Sequence, residues 1–192
     1  MSEEENKILC YGDYLIISTG EGINTHYLSA RSRKENKIKV TTRRIIKGAP
    51  KDSTTPLYFH PNLNQLIFKI EPKMDYSALQ DLKRIKSGDP RENLLTRRSE
   101  AEKIKNNHFE AKMRGVPVRY GETIQLYHEF TQSYVCVTRN KMPQVNKYYI
   151  GLSTSGKDEI HFKIETNESK PKNGLKILNG ENIALVNTKL ML

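Results

Sequence analysis

The tetrapeptide Phe-Lys-Ile-Glu occurs twice in this chain, at Phe68 to Glu71 and at Phe162 to Glu165, 94 positions apart. A chain built on an internal repeat is restricted to folds in which one supersecondary unit recurs, so the surroundings of the tetrapeptide decide what it means. They repeat as well. Upstream of the first copy stands Tyr11-Gly12-Asp13-Tyr14-Leu15, and upstream of the second Tyr120-Gly121-Glu122-Thr123-Ile124. A third opening of the same kind, Asn179-Gly180-Glu181-Asn182-Ile183-Ala184-Leu185, follows. Glycine beside an acid suits a tight turn with positive φ, and the aliphatic residues after it read as a half-buried strand.

Within the units a second strand signal recurs, Tyr27-Leu28 lying 15 residues after Gly12 and Tyr134-Val135 lying 13 after Gly121. The first unit is the longer, 56 residues from Gly12 to Phe68 against 41 from Gly121 to Phe162. A loop rich in Pro and Thr around Lys47 to Asn64 absorbs the difference, and loop length costs little. By the same spacing a further closing strand is due about 40 residues after Gly180. The third unit is therefore expected to be cut, with Leu190-Met191-Leu192 beginning a buried strand.

Period-2 alternation predicts that Phe68 and Ile70 share a buried face, as do Phe162 and Ile164, while the intervening Lys and Glu point outward. After Pro72 the pattern changes. Asp75 is placed to cap a helix in which Tyr76, Leu79, Leu82 and Ile85 recur at helical spacing, closed by Gly88 and Pro90. A second helix is predicted over Arg91 to Arg114, ended by Gly115 and Pro117, with a thin apolar stripe through Leu94, Ala101, Ile104 and His108. Residues 73–116 thus read as a helical hairpin inserted between two β units, exposed over most of its surface, with residues 86–93 as a mobile turn.

The composition, 36% hydrophobic and 28% charged, is enough for one globular core and argues against a wholly disordered chain. Cys10 and Cys136 have no CxxC or His-rich neighbourhood and read as two free thiols in a reducing compartment. The acidic N-terminus has no apolar run of signal-peptide length, and no stretch approaches the roughly 20 apolar residues of a membrane span. A net charge of +10 predicts attraction to polyanions or acidic surfaces. Walker loops, GxSxG and HExxH are absent, and the five histidines are isolated in sequence, so neither an enzyme, a metal site nor a cofactor is expected. His26 and His128 read as structural.

The order Phe68-Lys69-Ile70-Glu71-Pro72, then Tyr76-Ser77-Ala78 and a helix, then Tyr120-Gly121 followed by Ile124-Gln125-Leu126-Tyr127-His128, resembles the N-terminal domain of inositol trisphosphate receptors, to which a domain of ryanodine receptors is related. The resemblance runs from about Ile8 to the end. It implies a mainly β fold, a MIR-like β-trefoil with a helical hairpin after its first lobe. The corresponding division is lobe one over 8–72, the insert over 73–116, lobe two over 117–171 and the start of lobe three over 172–192. It further implies a regulatory module of a tetrameric calcium-release channel on the cytosolic face of the endoplasmic reticulum. Its partners would be a downstream ligand-binding core and neighbouring subunits, with no nucleic acid bound and no membrane insertion by this segment.

Two surfaces are candidates for contact. One is the loop leading into Phe162, with Lys157, Asp158, His161 and Lys163; the resemblance implies aromatic residues beside the phenylalanine, where this chain has His161 and Lys163. The other is the run Arg31 to Lys47, which carries eight Lys or Arg and one acid, with Arg31, Arg33, Lys34, Lys37, Lys39, Arg43 and Arg44 as its basic surface. That run also reads as a solvated hairpin whose Ile38, Val40 and Ile45 face the core. Two rivals remain open at this level: a MIR module of a protein O-mannosyltransferase, and a free-standing basic trefoil that binds polyanions.

Overall fold

A computed structural model describes residues 7–20, 26–32, 37–42, 63–141, 148–154 and 158–189. The described part is mainly β. In chain order its elements are β1 (Tyr14–Ile16), β2 (Ser18–Thr19), β3 (His26–Ser32), β4 (Lys37–Thr42), β5 (Ile67–Pro72), α1 (Ser77–Arg84), α2 (Glu92–Met113), β6 (Thr123–His128), β7 (Ser133–Lys141), β8 (Tyr148–Ser153), β9 (Phe162–Thr166) and β10 (Ile183–Asn187). Single 3-10 turns at Leu63–Gln65, Glu129–Thr131 and Asp158–Ile160 precede β5, β7 and β9. The strands pair antiparallel in the order β1-β5-β6-β7-β8-β4-β3-β2, and β6 also pairs with β9, which carries β10 on its other side. Leu190-Met191-Leu192, expected to begin a strand, and Ile45 lie outside the described residues.

The two repeated tetrapeptides form β5 and β9, and their Phe and Ile point into one core. Phe68, Ile70, Phe162 and Ile164 are all buried, together with Val118, Tyr120, Ile124, Leu126 and Ile177. Each tetrapeptide is held by its own opening in the same way. Gly12 N donates to the Ile70 carbonyl at 2.8 Å and Ile70 N to the Asp13 carbonyl at 3.0 Å. Gly121 and Glu122 repeat both bonds with Ile164 at 2.8 and 3.0 Å. The glycine turns have φ of 90° at Gly12, 90° at Gly121 and 85° at Gly180, a left-handed conformation that a side chain disfavours. In each turn the acid closes the loop locally: Asp13, Glu122 and Glu181 accept from the backbone N–H of Cys10, Arg119 and Leu178, each at 2.9 Å.

The three openings also bond to one another in a ring. Leu9 N donates to the Ile177 carbonyl (2.9 Å), Ile177 N to the Val118 carbonyl (3.1 Å) and Val118 N to the Leu9 carbonyl (2.8 Å). Each of these residues stands three positions before the glycine of its opening. Side chains interlock the ring: the Tyr11 hydroxyl donates to Glu122 at 3.0 Å and the Tyr120 hydroxyl to Glu181 at 3.2 Å. The third link has no counterpart in the sequence, because Asn179 stands where the other openings have tyrosine and Asp13 where they have glutamate.

Both helices form within a residue or two of the sequence expectation, but α2 faces the opposite way. Leu94 and Ile104 of the expected apolar stripe are each 59% exposed, and Ala101 and His108 are exposed too. The inward face instead carries Leu95 and Asn106, with Glu102, Glu110 and Met113 partly covered. The reason is that α2 docks through hydrogen bonds and ion pairs, which hydrophobic periodicity does not register. Asp75 likewise caps less than expected. Its carboxylate accepts from Ser77 N (3.0 Å) and lies 3.2 Å from the Ser77 hydroxyl, while the next free N–H groups of α1 are taken by a residue of α2.

Candidate interaction surface

The inserted helices meet the sheet at the first Phe-Lys-Ile-Glu copy. Lys69 and Glu71, expected to point into solvent, are covered: their side chains are 12% and 5% exposed. Helix α2 lies over them, and Glu110 pairs with Lys69 while Lys69 also pairs with Glu71 at 3.2 Å. One ammonium thus serves two carboxylates. Burial works against the Lys69 ammonium, but its bond to Glu110 and the charge of Glu71 outweigh burial, so its pKa lies above the ordinary lysine value. Burial raises the Glu71 carboxyl above the usual range; the Lys69 charge opposes this and the Glu110 charge adds to it. The second copy has no such cover. Lys163 and Glu165 pair with each other at 2.9 Å, and both are 43% exposed, so their pairing contributes little.

Two further α2 residues pin the start of α1. Glu102 accepts from Ala78 N (2.7 Å) and Leu79 N (3.1 Å) and lies 3.2 Å from the Ser77 hydroxyl, filling from outside the role of an N-cap. Asn106 donates to the Asp75 carbonyl at 2.6 Å. Glu102, Asn106 and Glu110 are spaced at four-residue steps and therefore share one helix face, a polar stripe in place of an apolar one. Tyr76, at the entry to α1, accepts from Gln125 at 2.9 Å and lies edge-on to Tyr134, whose hydroxyl donates to Glu71 at 3.2 Å. Burial first, then the Glu71 charge, push the Tyr134 phenol far above its ordinary range. The insert is joined to the sheet by partly buried polar contacts.

His161 belongs with these contacts rather than to a surface loop. It is 4% exposed, its ring stacks with that of Tyr76 at 6.4 Å and 23°, and its carbonyl accepts from Thr188 N at 3.1 Å. It connects the loop before β9 to the base of α1. Lys163 is the one member of that predicted group placed at the surface with its side chain described. Asp158 begins the 3-10 turn Asp158–Ile160, and Lys157 lies outside the described residues. Of the basic run, Arg31 falls in β3 and Lys37 and Lys39 in β4; their side chains, and all of Arg33, Lys34, Arg43 and Arg44, lie outside what is described.

Two more of the singled-out groups, His128 and Cys136, are buried. His128 is fully buried, with Nδ1 2.8 Å from the Thr131 hydroxyl. Burial lowers its pKa, against the opposing pull of the Asn64 and Gln65 backbone. Both cysteines are free. Burial, with the Glu159 charge behind it, pushes the Cys136 thiol up to about 11, so it stays protonated and unreactive at neutral pH. Among the described residues no three of His, Cys, Asp and Glu gather as a metal cluster, and no helix is long and apolar enough to cross a membrane.

The polar inner face of α2 is what the sequence reading passed over. Its signal is present as Glu102, Asn106 and Glu110 at helical spacing, on a helix whose apolar stripe is too thin to dock it. In comparison with known proteins, the family model described as inositol 1,4,5-trisphosphate/ryanodine receptor matches residues 4–191. No curated protein matched the chain directly.

Proposed function

This chain belongs to the inositol 1,4,5-trisphosphate/ryanodine receptor family, and from that premise we propose that it is a regulatory interaction module of a ligand-gated calcium channel. The family is one of ion-channel receptors and not an enzyme family. In our reading the module touches a downstream ligand-binding core and a neighbouring subunit on the cytosolic face of the endoplasmic reticulum. Through those contacts it alters ligand affinity and gating. The match over nearly the whole chain carries the proposal.

We read the three bonded openings as the three lobes of a β-trefoil, with residues 8–72, 117–171 and 172–192 contributing to them and 73–116 forming the arm. The cyclic bonds of Leu9, Val118 and Ile177 support that division. Contact would fall on the arm and on the loop with Lys157, Asp158 and Lys163. His161 supports this loop from beneath through its stacking on Tyr76. A partner pressing on the loop therefore displaces the base of α1, and moving α2 requires parting Glu110 from Lys69 and exposing Glu71. Arm and sheet respond as one piece, which gives a conformational signal two ends to act on.

The test is the affinity of an extended protein, containing the downstream core, for inositol 1,4,5-trisphosphate with and without residues 1–192. A coupling of about 1–3 kcal/mol predicts affinities roughly 5- to 150-fold apart. Equal affinities overturn the proposal.

A further inference from the structure

Where α1 and α2 part, the insert encloses an open cleft of about 800 Å³, within the roughly 300–1,000 Å³ typical of ligand sites. Its lining is amphipathic. Ile85 and Leu95 form an apolar floor, and Leu94, 59% exposed, stands at its edge. Around them are Arg84, Lys86, Arg91 and Arg98, against only two acids, Asp81 and Asp89.

Both acids already have a basic partner. Asp81 pairs with Arg84 at 3.3 Å, and Asp89 takes the Arg91 guanidinium in two bonds of 3.0 and 2.8 Å. That fork, and the Arg91 N–H, hold the Asp89 carboxyl near 2. Lys86 and Arg98 have no acidic partner among the described residues, so two uncompensated cations flank an apolar floor.

We infer that the cleft at the α1–α2 turn binds an acidic peptide segment that presents a carboxylate pair to Lys86 and Arg98 and an apolar side chain to Ile85, Leu94 and Leu95. A bare phosphate would satisfy the cations and leave the apolar floor in water. A peptide with both features satisfies the two together, and the charge complementarity that selects it acts mainly on orientation and encounter. The cleft lies on the arm that the proposed function makes a contact surface, but its geometry holds whether or not residues 1–192 alter ligand affinity.

The experiment uses the full chain and a fluorescein-labelled peptide of repeated Glu-Glu-Leu, followed by anisotropy. Saturable binding is expected that weakens about tenfold, equivalent to roughly 1.4 kcal/mol, in the double variant Lys86→Glu, Arg98→Glu. Replacing the peptide's Leu with Ser is expected to weaken binding several-fold, as is Leu94→Ser in the protein. Reversing remote charges, Lys170→Glu with Lys176→Glu, both exposed, is expected to change it by less than about twofold. Without any variant, amide shifts of the native chain on adding the peptide are expected to cluster between residues 81 and 98. Absence of saturable binding, an equal loss on remote charge reversal, indifference to the peptide's Leu, effective competition by inorganic pyrophosphate at matched charge, or shifts centred elsewhere would each overturn the inference.

Discussion

Phe162 anchors the second tetrapeptide in the core, 5% exposed, and its truncation to alanine removes a ring whose space the antiparallel neighbours of β9 cannot close. Phe162→Ala is expected to cost about 3–5 kcal/mol, read as a lowered thermal transition; an unchanged transition removes Phe162 from the core. Glu71 makes a prediction of a different kind. Its folded pKa is raised above the unfolded value, so its contribution to stability is full below the unfolded pKa and is lost as pH rises through the folded one. In Glu71→Gln that contribution disappears. Denaturant midpoints of variant and parent should therefore diverge in the variant's favour as pH climbs from about 4.5 toward neutrality. A constant difference over that range contradicts the raised pKa. The burial of Phe162 is legible from period-2 alternation; that of Glu71 is not, since alternation assigns it to the outer face.

At the scale of the element, α2 shows why limits and faces are read with unequal success. Its limits follow from local chemistry, the glycine and prolines that flank it, and the observed Glu92–Met113 agrees with this. Its docking face does not, because Glu102, Asn106 and Glu110 look like solvated residues until their partners on α1 and β5 are known. Two variants separate the contacts. Glu102→Ala exposes the N–H groups of Ala78 and Leu79 and is expected to cost about 1 kcal/mol, with hydrogen exchange accelerated in α1 and unchanged in β9. Lys69→Ala leaves Glu71 and Glu110 facing each other under the helix and is expected to cost about 3–5 kcal/mol, with faster exchange along α2. If exchange rises equally throughout the chain in both, the insert is not held by these separate contacts.

For the whole molecule the decisive feature is the ring of openings. Tyr11 and Tyr120 each reach from one opening to the acid of the next, so Tyr11→Phe and Tyr120→Phe each remove a bond to a charged acceptor, worth about 1.5 kcal/mol. The double variant should lose close to the sum and still unfold in one transition, seen as coincident melting by circular dichroism and tyrosine fluorescence. Two separated transitions would show that the openings do not fold as one body. Only the repetition of the openings is visible in the sequence. That Leu9, Val118 and Ile177 bond cyclically depends on all three units arriving together.

The sequence by itself determined the elements and their kinship: two identical strands with a shared buried face, three glycine-acid turns, two helices between units, and the family. Each rests on local rules, namely side-chain alternation, positive φ at glycine and helix stop signals, that need no distant partner. Tertiary structure alone decided which polar residues are buried. Lys69 and Glu71 lie under α2, whereas the identical Lys163 and Glu165 stand open, because the same four residues meet a helix in one place and solvent in the other. Burial of a charge depends on what covers it, and the cover comes from 41 residues away, where Glu110 approaches Lys69.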